Sequence, residues 1–345
     1  MPRPALPVGV ADKLKRSSGG DGVRRTSSLV SPTLLLEGHA GPVLTCRFAP
    51  DGRHLATGGG DRTVLVWEAF GANRNTRVLR GHDHAVLQLD WTRDSRRIAT
   101  ASADHSVGLW DVLTARRLQR WRGHRGIVNA VAACPVNHRL VASGGDDATV
   151  RLWDCRARRS TLVIKQAAPV LAVAWGSYGV ISAGIDQVIT VTDRRHAAKP
   201  LYTLVGHTDA VTGLAVSRDG ARLASHSMDG TTRVWDLRPF CPHPSRLEHV
   251  LPGARQGPEH QLFRPCWSGR VEDPALGATS AAYVAAGTAD RTAMVWDAAS
   301  TRLLYALPGH QGPVVAVDWH PTEPVLATAS TDRTVILGEI DPAHV

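Results

Sequence analysis

Histidine, aspartate and hydroxyl side chains recur together along the 345-residue chain, and they are the residue types of a hydrolytic Ser-His-Asp triad. The fullest set is His82 with Ser102, Asp104 and Trp110. In a triad the hydroxyl attacks a carbonyl group, the histidine accepts its proton and the carboxylate orients the imidazole ring. Catalysis needs one such site, whereas this set recurs along the chain. The repetition therefore indicates a structural role, and we expect no enzymatic activity.

Two dipeptides mark the repeat. Gly-His pairs end at His39, His82, His124, His207 and His310. Trp-Asp pairs begin at Trp110, Trp153, Trp235 and Trp296, and Trp67-Glu68 is a close variant. The first four histidines precede the tryptophan of their unit by 28 or 29 residues. A repeat of about 43 residues with these markers is typical of the WD repeat, in which each unit forms one four-stranded propeller blade.

A third marker counts the blades. An aspartate lies six residues before each tryptophan position, at Asp61, Asp104, Asp147, Asp186, Asp229, Asp290 and Asp332. Unit four lacks Gly-His and carries Thr192 in the tryptophan position, unit six also lacks Gly-His, and unit seven carries Gly338. Because the aspartate persists in all seven units, we predict an all-β, seven-bladed WD-repeat propeller.

In WD repeats these marker residues form a buried hydrogen-bonded relay that ties neighbouring loops to the tryptophan, and fully paired buried polar groups fix one conformation. The predicted relay residues are His39, Asp61, Trp67, His82, Ser102, Asp104, Trp110, His124, Asp147, Trp153, His207, Asp229, Trp235, Asp290, Trp296, His310 and Asp332.

The two ends of the repeat region predict how the ring closes. The segment Thr33–Leu36 precedes the first Gly-His and lacks a unit of its own, whereas the last unit ends at residues 337–340 without an outer strand. We expect the N-terminal segment to supply the missing strand of blade seven, since an open ring would leave exposed sheet edges. The predicted propeller spans residues 32–341, between a disordered basic tail at 1–31 and a short C-terminal tail at 342–345.

Composition limits the classes of partner. The formal net charge is +9, and residues 1–31 contribute +4 of it from six basic and two acidic residues. A basic surface attracts acidic proteins or nucleic acid over a long range. The five cysteines form no Cys-x-x-Cys motif and no metal-ligand spacing is present, so we predict neither a metal site nor a cofactor. No apolar run reaches the roughly 18 residues of a membrane helix, and we expect a soluble intracellular protein.

Binding residues are expected on the loops at the propeller rims. The residue after the marker aspartate is an arginine in three blades that adjoin in a closed ring, at Arg62, Arg291 and Arg333. Arginine is favoured at interfaces and in carboxylate or phosphate recognition, so these three are the candidate partner-binding residues. Two enlarged loops, at 242–262 and 269–281, also stand out, and Pro242–His260 is interpreted as a disordered insertion or a contact site.

Several stretches are more specific than the general repeat. They include LLLEGHAGPVLTCRFAPDG (34–52), VWDLRPF (234–240), FRPCWS (263–268) and the ending LGEI (337–340). Together they resemble the forty-kilodalton WD-repeat family of the U5 small nuclear ribonucleoprotein, from about Ser27 to Ile340. The resemblance implies a non-enzymatic nuclear scaffold in pre-mRNA splicing. Its partners would be the large Prp-eight protein and other U5 particle proteins, with RNA contacted mainly indirectly.

Two alternatives remain open. A substrate receptor of a cullin-based ubiquitin ligase would carry Trp-Asp-x-Arg at the end of a blade, and this motif occurs at Trp153–Arg156 and Trp235–Arg238. Direct RNA binding by the basic surface is the other. Aromatic residues make up only 5% of the chain, so base stacking would be limited and binding would be non-specific and salt-sensitive.

Overall fold

The computed structural model describes residues 27–71, 73–241, 243–257, 259, 261–268 and 282–340. These residues form 28 strands in seven four-stranded antiparallel sheets, which confirms the predicted all-β, seven-bladed propeller. Within the described ranges, no helix is long and apolar enough to cross a membrane.

The strands are, in chain order, β1 (Thr33–Glu37), β2 (Val43–Phe48), β3 (His54–Gly59), β4 (Thr63–Glu68), β5 (Asn75–Arg80), β6 (Val86–Trp91), β7 (Arg97–Ser102), β8 (Ser106–Asp111), β9 (Arg116–Arg122), β10 (Val128–Ala133), β11 (Leu140–Gly145), β12 (Thr149–Asp154), β13 (Leu162–Lys165), β14 (Val170–Trp175), β15 (Val180–Gly184), β16 (Ile189–Thr192), β17 (Tyr202–Leu204), β18 (Val211–Val216), β19 (Arg222–Ser227), β20 (Thr231–Asp236), β21 (Leu247–Pro252), β22 (Pro265–Trp267), β23 (Tyr283–Gly287), β24 (Ala293–Asp297), β25 (Leu303–Leu307), β26 (Val314–Trp319), β27 (Val325–Ser330) and β28 (Thr334–Glu339). Blades one to six each use four consecutive strands, starting from β2.

The innermost strands form a closed ring. Strands β2, β6, β10, β14, β18, β22 and β26 each contact the innermost strands of both neighbouring blades, and β26 meets β2. These strands are mostly apolar, and VLAVAW of β14 is entirely so, because both of their faces are buried between blades. Tryptophan side chains also bridge adjacent blades by donating to innermost-strand carbonyls, from Trp91 to Arg47 at 3.0 Å and from Trp175 to Ala132 at 2.8 Å.

Blade seven mixes both ends of the chain, as the sequence predicted. Its strand order is β1-β28-β27-β26, and β1 pairs antiparallel with β28 with Leu35 opposite Ile336. The side chains of Leu36 and Leu337 are buried in the same apolar cluster as Leu55 of blade one. The N-terminal strand therefore closes the ring by both backbone pairing and apolar packing.

Contacts with the propeller are present before the predicted boundary at residue 32. The backbone N–H of Ser27 donates to Glu339 at 2.9 Å, that of Ser28 donates to Glu323 at 2.7 Å, and Leu29 is buried. Residues 27–29 thus contact blade seven, which corrects their assignment to the tail. The rest of the predicted tail, and residues 342–345, lie outside the described residues.

The stretch interpreted as an insertion also differs from expectation. Leu247–Pro252 is the outer strand of blade five and pairs with β20, with Leu251 buried. The prolines and histidines around this segment are typical of a loop. The segment forms a strand because it pairs with β20. The second enlarged loop, 269–281, lies outside the described residues.

Arg264, just before β22 in blade six, joins four blades across the centre of the ring. Its guanidinium group donates to the carbonyl oxygens of Leu44 at 3.3 Å, Leu87 at 2.7 Å and Asn129 at 3.1 Å. These acceptors occupy the same position in blades one to three, at β-bulges that leave them outside the strand ladder. Burial lowers the pKa of Arg264 to about 9. One buried cation therefore satisfies three carbonyls that the ladder leaves unpaired.

Two truncations test ring closure. Removing residues 1–26 should leave a soluble, cooperatively melting protein, because the contacts of Ser27 and Leu29 remain. Removing residues 1–37 deletes β1 and exposes the edge of β28, so that protein should aggregate or melt at a much lower temperature. Solubility and calorimetric melting would be compared, and indistinguishable behaviour would contradict closure by β1.

Arg264→Leu should lower the free energy of unfolding by about 1–3 kcal/mol, because three carbonyls in the interior of the ring, one of them in a fully buried hydrogen bond, lose their donor. The matched control is Arg93→Leu, whose exposed guanidinium donates to the carbonyl of Pro135 at 2.9 Å in the neighbouring blade. That change should cost no more than about 0.5 kcal/mol. Urea unfolding measures both, and equal losses would rule out a special role for Arg264.

Candidate functional site

Blade two contains a complete relay. His82 Nδ1 lies 2.8 Å from the carboxylate of Asp104, His82 Nε2 lies 2.7 Å from Thr100 Oγ1, and Trp110 Nε1 donates to the same hydroxyl at 2.9 Å. With the ring proton on Nδ1, the indole donates to the hydroxyl, the hydroxyl donates to Nε2, and Nδ1 donates to the carboxylate. Each of the side-chain groups in this relay then has a hydrogen-bond partner.

The hydroxyl that joins histidine to tryptophan is Thr100, which corrects the assignment of Ser102 to this place. Ser102 Oγ instead donates to the carbonyl of His84 at 3.1 Å and accepts the N–H of Asp104 at 3.2 Å. It therefore shapes the turn that holds the aspartate.

The same arrangement recurs in three other blades and, without tryptophan, in blade seven. The sets are His39–Asp61–Thr57–Trp67, His124–Asp147–Ser143–Trp153, His207–Asp229–Ser225–Trp235 and His310–Asp332–Thr328. The bridging hydroxyl lies ten residues before the tryptophan in each complete set. This constant spacing is the sequence signal that would have found it.

The described residues of blade six do not form the relay, contrary to the sequence assignment. Asp290 is exposed, and Trp296 Nε1 donates at 3.2 Å to the carbonyl of Pro252 in blade five. No histidine among the described residues faces this aspartate, and Thr288 pairs with Thr292 across the turn. Trp296 remains a fully buried core residue but fixes a contact between blades.

The relay keeps its carboxylates ionised. Burial alone would raise the pKa of Asp104, but hydrogen bonds from His82 and Ser106 lower it well below its ordinary value. The pKa of Asp332 falls to about 2 because hydrogen bonds from Thr334 and Gln311 outweigh burial. Blade four shows the opposite case, since Asp186 has no relay histidine and burial raises its pKa.

The relay has the connectivity of a catalytic triad but cannot expose a nucleophile. Ser143 Oγ faces His124 Nε2 at 2.8 Å, and His124 faces Asp147, in the order of a triad. However, Ser143 is completely buried and already accepts the N–H of Trp153 at 2.8 Å. A substrate carbonyl cannot reach an oxygen enclosed in this way, so these groups hold the loops in place.

The three candidate arginines lie on one rim. Arg62, Arg291 and Arg333 occupy the turns between the second and third strands of blades one, six and seven, and all three are exposed. Their φ angles are 66°, 65° and 74°, so the left-handed conformation of this turn projects each side chain from an equivalent backbone position. None of the three guanidinium groups forms a hydrogen bond or ion pair within the described residues. We call these residues the arginine arc.

The closed ring and its relays define a WD-repeat propeller. The family described as "WD domain, G-beta repeat" matches residues 30–68, 73–111, 115–154, 198–236 and 301–337.

The chain is 41% identical to the U5 small nuclear ribonucleoprotein 40 kDa protein of Homo sapiens, over 92% of this chain and 87% of that protein. It is 39% identical to the protein of the same name in Dictyostelium discoideum, over 94% and 91%. Pre-mRNA-splicing factor cwf17 of Schizosaccharomyces pombe is 38% identical over 93% and 92%. The chain belongs to the family of the U5 small nuclear ribonucleoprotein 40 kDa protein.

Asp104→Ala should destabilise the protein by roughly 1–3 kcal/mol at neutral pH, because His82 and its loop lose a buried partner. Asp186→Ala is the matched control, as it alters the same repeat position in a blade without a relay, and it should cost much less. Urea unfolding at several pH values provides the comparison.

The pH dependence of this difference follows from the pKa shift. The pKa of Asp104 is lower in the folded protein than the value of about 3.9 in the unfolded chain, so its contribution is complete above about pH 4. The contribution disappears as the pH falls toward the folded-state pKa. The difference in the free energy of unfolding between wild type and Asp104→Ala should therefore become smaller in acid. Equal losses of stability in Asp104→Ala and Asp186→Ala at neutral pH would refute the relay assignment.

Proposed function

We propose that this protein is a non-enzymatic interaction scaffold of the U5 particle in pre-mRNA splicing, located in the nucleus, and that it binds the large Prp-eight protein. The observation that supports this proposal is similarity along the whole propeller to splicing proteins, covering about nine tenths of both chains. Similarity confined to the WD markers would support only the fold. Here it covers 92% of this chain and 87% of the human protein, and it therefore extends beyond the marker residues.

The absence of catalysis is part of the proposal. The recurring histidine, aspartate and hydroxyl groups are buried and saturated with hydrogen bonds, as in the set of Ser143, His124 and Asp147. Their role is to hold loops at the rims, where a rigid scaffold presents contact residues. Function then depends on what those loops bind.

The arginine arc is the proposed contact for the protein partner. Its three guanidinium groups are exposed and carry no described ion pair, so they retain their capacity to bind carboxylates. They also project from neighbouring blades, which suits one continuous acidic surface. An acidic patch on the large U5 protein is the partner that this charge pattern would attract.

A ligase receptor remains the second candidate. The Trp-Asp-x-Arg motifs place Arg156 and Arg238 in exposed positions, although each arginine is paired with the aspartate of its motif. Recovery of a ligase adaptor in place of splicing proteins would favour this candidate.

Charge reversal tests the arc. Tagged protein purified from nuclear extract should recover the large U5 protein, and recovery should persist after nuclease treatment if the contact is between proteins. Changing Arg62, Arg291 and Arg333 together to Glu should reduce recovery at least about tenfold, because like charges then face the acidic partner. The melting temperature should hardly change, since these side chains make no described contacts.

Undiminished recovery with the triple variant would exclude the arc as the contact. Recovery that disappears with nuclease would indicate an RNA bridge.

A further inference from the structure

The opposite rim carries a second, repeated charge pattern in blades three, four and five. In each of these blades the turn after the third strand contains Asp-x-Arg, with the two side chains paired. The pairs are Asp154–Arg156 at 3.1 Å, Asp193–Arg195 at 3.2 Å and Asp236–Arg238 at 2.6 Å. Each aspartate also accepts the backbone N–H of its arginine. The repeat thus fixes an arginine at the same place on three adjacent blades.

Within each pair the cation faces solvent and the anion does not. The side chains of Arg156, Arg195 and Arg238 are 71%, 78% and 58% exposed, whereas those of their aspartates are 19%, 13% and 2% exposed. A ligand approaching this rim therefore meets the guanidinium groups first. Hydrogen bonds from Arg238 lower the pKa of Asp236 to about 2, so the carboxylate stays ionised and keeps the arginine in place.

Four more cations surround the pairs. Arg158, Arg159, Arg194 and Lys199 are exposed, and none forms a side-chain hydrogen bond or ion pair with a described residue. The turns 154–160 and 193–199 together contain six cations and two carboxylates, a net charge of +4. We call these four residues with Arg156, Arg195 and Arg238 the basic rim.

The three turns form one surface. Ala197 of the blade-four turn packs against a buried apolar cluster that blades three and four share, and Leu140 and Leu162 of blade three pack against the same cluster. On the other side, the hydroxyl of Tyr202 in blade four lies 3.5 Å from the carbonyl of Leu237, which begins the blade-five turn. The guanidinium of Arg246 lies 4.3 Å from the centre of the Tyr202 ring and links the same two blades.

An aromatic ring ends this surface. Phe240, in the blade-five turn, is 96% exposed. Its turn is braced, because Arg246 donates to the carbonyl of Arg238 at 2.6 Å and to that of Pro239 at 3.3 Å. A fixed backbone thus presents a ring whose faces are free to stack.

We propose that the basic rim binds the phosphate backbone of single-stranded RNA, with Phe240 stacking on a base. Guanidinium groups repeated on adjacent blades match a polyanion with regularly spaced charges. Exposed aromatic rings beside such a surface are the usual platform for bases. The core of a protein–protein interface is depleted of charged residues, whereas the turns 154–160 and 193–199 carry a net charge of +4. The inference replaces the expectation of mainly indirect RNA contact and does not depend on the proposed protein contact.

The test measures binding of the full-length protein to a short fluorescein-labelled oligouridine by fluorescence anisotropy, between about 50 and 200 mM KCl. The variant is Arg158→Glu, Arg159→Glu and Arg194→Glu combined. Its affinity should fall at least about tenfold, and the slope of log affinity against log salt should become shallower by about 2, at about 0.7 per lost phosphate contact.

The matched control is the triple Glu variant of the arginine arc, which changes the net charge equally, from +9 to +3. It should retain most of the RNA affinity, and the basic N-terminal tail is identical in both variants. Both sets alter exposed, unpaired side chains, so their melting curves should match that of the wild type. Equal loss of RNA binding in the two variants would mean that binding follows net charge, and it would overturn the proposal.

Phe240→Ala separates stacking from charge. It should weaken oligouridine binding by about fivefold or more while the salt slope stays the same, because stacking releases no counterions. Unchanged affinity would contradict the stacking role.

If the basic-rim variant binds RNA like the wild type but loses a protein from nuclear extract, the surface is a protein contact and the RNA proposal is wrong. The arc variant's loss of protein recovery is a separate measurement, so the two proposals fail independently.

Discussion

The structure depends on the closure of a ring of seven sheets, and closure requires that strands from both ends of the repeat region complete one blade. Each blade buries its faces against its neighbours, so a single open seam would expose an apolar face as well as a strand edge. Pairing of β1 with β28 removes that seam, and the burial of Leu36 and Leu337 adds apolar contact to the backbone hydrogen bonds. Once the ring is closed, each blade is held from both sides. This explains why blade four, and blade six as far as its described residues go, lack the relay and still keep four paired strands.

Closure fixes the sheets, and the relays then fix the loops. In blade two the carboxylate of Asp104 accepts from His82 and from the backbone N–H of Asp83, both in the incoming loop, and from Ser106 beyond its own turn. Two loops at the same rim are thereby joined through one buried anion. The turn residue that follows each such aspartate projects from a left-handed position, so its side chain is presented by a rigid support. Arg62 and Arg333 of the arginine arc follow relay aspartates, so binding at these two residues would require little ordering of the backbone.

The features that recur at a fixed spacing could be predicted from the sequence. The features that depend on contacts between residues far apart in the chain could not. The blade count, the exchanged strand and the aspartates follow from a period of about 43 residues. The bridging hydroxyls, such as Thr100, also have constant spacing, but the nearer Ser102 was mistaken for the relay member. Arg264 could not be recognised in this way, because its acceptors lie 135 to 220 residues away. Strand β21 was missed because its local composition favours a loop and only pairing with β20 makes it a strand.

The two charged surfaces lie at opposite ends of the strands, which has an electrostatic consequence. The arginine arc lies on turns between second and third strands, whereas the basic rim lies on turns that follow third strands. A six-residue strand such as β12 spans about 20 Å, at roughly 3.3 Å per residue. The screening length at physiological salt is about 8 Å, so charge bound at one rim is largely screened at the other. The two proposed contacts, with an acidic protein and with a nucleic acid, are therefore electrostatically compatible at the same time, and the propeller between the rims would set the distance between the two partners.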